Sequence, residues 1–184
     1  ILTALVLIPS CKDGHLIGHP NLDVWSHAWG MDWFSSQLRS GKLPWYVEGA
    51  AWPTDRILWY IDPIGATILT PFSWFLGPVY SYNALIGIQI FALGISMWLL
   101  ARRLGGSGWL AMSILCTSPF LMGEYWNGVI EAGWVATIPF AGYLALCHSR
   151  WTGVIVGLAA LATPYHGVGA ALLVATLIIS DPDH

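Results

Sequence analysis

Apolar residues fall along this chain in runs separated by polar intervals of very unequal length. ILTALVLIP opens the sequence at 1–9, and one long polar stretch reaches to Asp62. Apolar runs then follow over 64–76, 80–104, 109–122, 129–147, 151–162 and 168–179, divided by short turns. Crossing a hydrocarbon core takes about 20 apolar residues in a helix. The pattern predicts spans over 79–104, 108–122, 129–147, 151–163 and 167–180, with 1–9 as a partial first span. Residues 64–77 carry Gly65 and Pro71 and lie between Asp62-Pro63 and Gly77-Pro78. They are too short to cross, and a juxtamembrane helix is expected there.

The polar interval has its own periodicity. Trp25, Trp29 and Trp33 recur every fourth residue and share a stripe with Leu22, while Asp23 and His27 form a second stripe turned away from it. An indole stripe beside polar positions suits a helix in the membrane interface, with ring bodies in lipid and N–H groups in water. Pro20 fits the first turn of such a helix, and Gly41, Lys42 and Pro44 end it. An amphipathic helix over 20–40 is therefore expected inside a loop spanning 10–63.

Alternation of the spans sets the faces. Arg102-Arg103 and His148-Ser149-Arg150 are short basic turns that mark the cytoplasmic side. The loop 10–63, GEYWNG at 123–128 and TPYHG at 163–167 then share the extracytoplasmic side, where Asp23, His27, Glu124, Glu131 and His166 are expected to meet.

Composition fits this reading: 56% hydrophobic residues against 9% charged, and a mean hydropathy of +0.63. These values belong to an integral membrane protein rather than to a water-soluble domain. The lipid bilayer is thus the first partner, and a net charge of −3 without a basic patch gives no reason to expect nucleic acid. The three cysteines, Cys11, Cys116 and Cys147, have no metal-binding spacing and read as packing residues. The chain opens at Ile1 inside an apolar run and closes just after another, so 1–184 is expected to be one transmembrane module of a longer chain.

Each chemical candidate has a plainer reading. Asp23 is a catalytic carboxylate or a solvated acid favoured in a helix's first turn. His27 is a ligand or a hydrogen-bonded bystander. Glu131, two residues into an apolar run, needs a partner, because charge there is expensive. Glu124 is a site acid or a solvated one, and His166 a substrate contact or a turn residue. Arg39 and Arg56 offer charge for a phosphate, though Arg39 also suits a helix C-terminus. The tryptophans beyond the stripe, among them Trp45, Trp52 and Trp59, stack on a sugar or anchor at headgroups. Zinc-type clusters, glycine-rich phosphate loops and a Ser-His-Asp order are all missing.

The order of motifs resembles the GT-C superfamily of membrane glycosyltransferases, in particular its bacterial branch. The resemblance runs over nearly the whole chain: HPNLDVW with its acid after the first span, QLRSGKLPW, a short helix from DPIG to FLGP, then spans ending LLARRLGG and TSPFLMGE. It implies an all-α integral membrane protein, a multi-span helical bundle with a large extracytoplasmic first loop carrying juxtamembrane helices. It further implies transfer of a sugar from a lipid-linked, polyprenyl-phosphate donor to an acceptor, on the periplasmic face of a bacterial inner membrane. Asp23 would be the general base, with Glu124 second in the catalytic set. His27, Arg39, Arg56, Glu131 and His166 would contact substrate, and an arginine or a divalent metal would neutralise the leaving phosphate. Many members carry two adjacent loop acids, whereas Val24 follows Asp23 here and Asp32 lies nine residues on. The alternative is a non-catalytic structural subunit of a larger membrane complex, built on the front half of that fold and contacting other membrane subunits.

Overall fold

The computed structural model describes residues 14–51, 54–59 and 62–180. The expected span at 1–9 lies outside the described residues. The rest is predominantly helical, so the all-α expectation stands in its coarse form.

Helix α1, Val24–Arg39, starts later than the expected 20–40. Residues 20–23 form a turn instead, because tertiary hydrogen bonds claim that segment. His19 N–H donates to Trp126 O at 2.8 Å and Asp23 N–H to Asn127 O at 3.0 Å. Trp25 Nε1 donates to Pro20 O at 2.9 Å, which closes the turn. On the helix, Trp25 and Trp29 are exposed while His27, Met31 and Phe34 are buried. Trp33, the third member of the stripe, stacks on Trp59 with ring centroids 5.1 Å apart.

The loop beyond α1 holds an antiparallel hairpin that the helical periodicity did not foresee. Strand β1, Tyr46–Ala51, pairs with β2, Thr54–Leu58, in the register Tyr46↔Leu58 and Glu48↔Arg56. Val47 is its buried position.

Helix α2, Pro63–Leu76, matches in extent the helix expected over 64–77. Asp62 caps it and Pro63 fills N1, where a missing N–H costs nothing. The Ser35 and Ser73 hydroxyls hydrogen bond where α1 crosses α2. Helix α3, Pro78–Arg103, is the axis of the structure. Its 26 residues give about 39 Å of helix, and among the described residues it is the one helix long and apolar enough to cross a membrane.

The expected span 108–122 is two helices, α4, Gly108–Cys116, and α5, Pro119–Asn127. Pro119 has no N–H and pushes Ser118 into an extended conformation, so a continuous helix cannot pass. The expected span 129–147 is likewise composite. A 3₁₀ helix, Ile130–Ala136, leads into α6, Thr137–Leu146. Helices α7, Thr152–Ala162, and α8, Pro164–Ser180, complete the bundle.

The main core surrounds α3, with Tyr82, Leu85, Ile86 and Leu93 meeting Phe34, Ala66, Tyr125 and Ile130. A second core joins α6, α7 and α8 through Ala141, Ala159 and Ala170, all fully buried. Small residues let these helices approach closely: a Cβ on Gly167 would stand 2.5 Å from Ala160 Cβ. At one end of the bundle the Arg103 guanidinium donates to Leu146 O at 2.9 and 3.2 Å, which ties the C-termini of α3 and α6. The polar side chains that matter next gather away from this end.

Candidate functional site

Asp62 is the most constrained carboxylate among the described residues. It is only 2% exposed, and its backbone has φ 26°, a left-handed conformation rare for a residue with a side chain. Two donors hold that geometry through three contacts. Gly65 N–H reaches Oδ1 at 2.8 Å, and Trp134 Nε1 spans both oxygens at 2.9 and 2.8 Å. Close packing leaves no alternative at Gly65, where a Cβ would fall 2.2 Å from Asp62 Oδ2. Burial raises the Asp62 pKa to about 6, and the nearby Glu131 charge adds to the rise while the Gly65 and Trp134 bonds oppose it. A carboxyl that changes charge near neutrality is suited to holding or releasing a proton.

Beside it, His27 Nδ1 approaches Glu131 Oε2 at 3.4 Å, an ion-pair distance, with the two side chains 10% and 32% exposed. The pair joins α1 to the 3₁₀ helix. Deeper in, Gln89 of α3 donates from Nε2 to Ile130 O at 3.0 Å. Gln89 Oε1 and Tyr125 Oη both point at Gly133, whose absent Cβ would lie 2.2 and 2.5 Å from them. Together these groups make a polar seam from α1 through the 3₁₀ helix to the middle of α3.

Not every residue singled out in the sequence joins this seam. His27 and Glu131 do. Asp23 lies one turn before His27 on the exposed rim, where its backbone is bonded to Asn127. Glu124 sits inside α5 rather than in a loop, since Ser118-Pro119 starts that helix and Gly128, at φ 90°, ends it. His166 belongs to the first turn of α8 and not to a connecting turn, because Thr163 and Pro164 form a helix start and Thr163 Oγ1 accepts from Tyr165 N–H at 3.2 Å. Glu124 and His166 meet across a separate cavity.

The two arginines sit on separate elements. Arg39 ends α1 and is thereby kept a full helix length from Asp23, sixteen residues and about 24 Å. Arg56 is held over the Tyr46 ring at 4.7 Å on the hairpin. Among the described residues no three His, Cys, Asp or Glu side chains converge to hold a divalent metal.

Asp62, Trp134, Gln89 and Tyr125 are the site residues that sequence reasoning passed over. Asp62 had a visible signal, Asp-Pro at a helix start, which identifies a cap but not burial. Gln89 inside an apolar run carried the clearer one, since an amide in such a run requires a partner. Comparison of the chain with protein-family models, with curated proteins and with solved structures returned no match.

Proposed function

We propose that this chain belongs to a multi-span membrane glycosyltransferase of GT-C type, which transfers a sugar from a polyprenyl-phosphate donor to an acceptor at the periplasmic face of a bacterial inner membrane. The observation that carries the proposal is the docking of the first-loop helix on the segment 124–134. Asp23 is bonded to Asn127 at 3.0 Å, and His27 is paired with Glu131 at 3.4 Å. The exposed loop acid of the GT-C-like motif thereby sits one helical turn from the His27–Glu131 pair, its own side chain on the open rim. Lipid surroundings are supported by the large apolar side chains left on the helix exteriors, such as Phe75, Phe91, Leu172 and Ile179.

In this reading Asp23 takes the proton of the acceptor hydroxyl as that oxygen attacks the anomeric carbon and the lipid phosphate departs. Exposure suits the role, because the acceptor must reach it.

Transfer assays test this with full-length protein in proteoliposomes and radiolabelled polyprenyl-phosphate sugars. Asp23→Asn should lower turnover by about 10² to 10⁴ with folding intact. Asp55→Asn, on the hairpin, should be mild. An unchanged rate in Asp23→Asn removes the base assignment. Absence of transfer from every donor, with co-purification of other membrane subunits, supports the non-catalytic alternative.

A further inference from the structure

A cavity of about 260 Å³ opens between α4, α5, the 3₁₀ helix and α8. Leu115, Phe120, Leu121 and Val135 give it apolar walls. Its polar lining is Ser118, Glu124 and His166. The Glu124 carboxylate makes no ion pair or hydrogen bond with any other described residue. His166 Nδ1 is buried and also unpartnered. The described cations are all elsewhere: Arg39 ends α1 and Lys42 follows it, Arg56 is on the hairpin, and Arg102, Arg103 and Arg150 lie at the opposite turns. None lines the cavity.

An unpaired carboxylate in a partly open, mainly apolar cavity repels an anion and favours a cation that brings its own hydrogen-bond donors. An ammonium group has three donors and no acceptor. Glu124 and Ser118 present acceptors, and His166 Nδ1 is a further one in the tautomer with its proton on Nε2. The volume equals that of roughly nine liquid waters, enough for a small ring or a short chain. We propose that this cavity binds a primary ammonium compound with a compact apolar body, its ammonium paired with Glu124 and its body against Phe120, Leu121 and Val135. A phosphate-bearing ligand is disfavoured there. The inference does not rest on sugar transfer, and its readout is binding.

Three probes of matched shape test it: 2-phenylethylammonium, 2-phenylethanol and phenylacetate. Equilibrium dialysis would use the full chain in phosphatidylcholine nanodiscs, with empty nanodiscs as the blank. The ammonium should bind at least about tenfold more tightly than the alcohol, and phenylacetate should not bind above the blank. Glu124→Gln, close in shape to the native residue, should abolish the preference for the ammonium. Ala132→Leu, at a lining position, should weaken ammonium and alcohol alike while the unfolding midpoint shows the fold retained. Adding phosphatidylethanolamine separates two sources of the headgroup: competition identifies a lipid amine and unchanged binding a free one. Equal binding of ammonium and alcohol, binding of phenylacetate, or a preference that survives Glu124→Gln would overturn the proposal.

Discussion

The Trp134 indole donates from one N–H to both carboxylate oxygens of Asp62, at 2.9 and 2.8 Å. This bond joins the start of α2 to the 3₁₀ helix and stabilises a charge that burial opposes. Burial outweighs the bond, and the local structure is therefore sensitive to pH.

The sign follows from the direction of the shift. The Asp62 pKa rises from 3.8 to about 6 on folding, so the folded state binds the extra proton between those values. The resulting stabilisation is complete below the unfolded value and is lost as pH rises through about 6, an effect of order 3 kcal/mol. Unfolding midpoints measured from pH 4 to 7 should therefore fall across this window in the native protein. In Asp62→Asn, which keeps an acceptor for Gly65 but does not titrate, that component of the slope should vanish.

Trp134→Phe removes the donor and keeps an aromatic ring of smaller size. At pH 7 the buried carboxylate loses a partner, and the loss should be about 1 to 3 kcal/mol. At pH 4.5, where Asp62 is largely protonated, the penalty should shrink. Equal penalties at both pH values in denaturant titrations would show that packing, and not the bond, accounts for the effect.

Two glycines separate packing from backbone effects. Gly133→Ala drives a Cβ against Gln89 Oε1 and Tyr125 Oη and should cost about 1 to 3 kcal/mol. Gly123→Ala, inside α5 with nothing within 4 Å of the new Cβ, should instead stabilise by about 0.4 to 1 kcal/mol. Thermal unfolding of both variants checks the contrast.

The proposed orientation places Asp23 and Glu124 on the extracytoplasmic side of the membrane and Arg102 on the cytoplasmic side. Single cysteines at 23 or 124, in a background without the native ones, should react with an impermeant maleimide on intact cells, and a cysteine at 102 only after lysis. Labelling at 102 but not at 124 would invert the topology.

Hydrophobic length and helix punctuation were local properties, and they determined much of the secondary structure. The apolar run after Gly77-Pro78 became α3 almost residue for residue, and DPIG became the capped start of α2. Proline and glycine signals were equally present at Ser118-Pro119, Gly128 and Thr163-Pro164, but a hydropathy window averages over them. It therefore merged α4 with α5 and read the start of α8 as a turn. The hairpin escaped because strand pairing joins residues through a turn, and no helical period marks it.

The seam is a different matter. His27 and Glu131 are far apart in sequence, and so are Asp62 and Trp134; hydropathy alone specifies none of these partnerships. Packing of α1, α2 and the 3₁₀ helix against α3 decided them, and burial then raised one acid's pKa while leaving Asp23 at the surface. Residue identity determined which groups carry charge and where helices begin. Desolvation and distance, which exist only once the chain has folded, decided which of those charges meet.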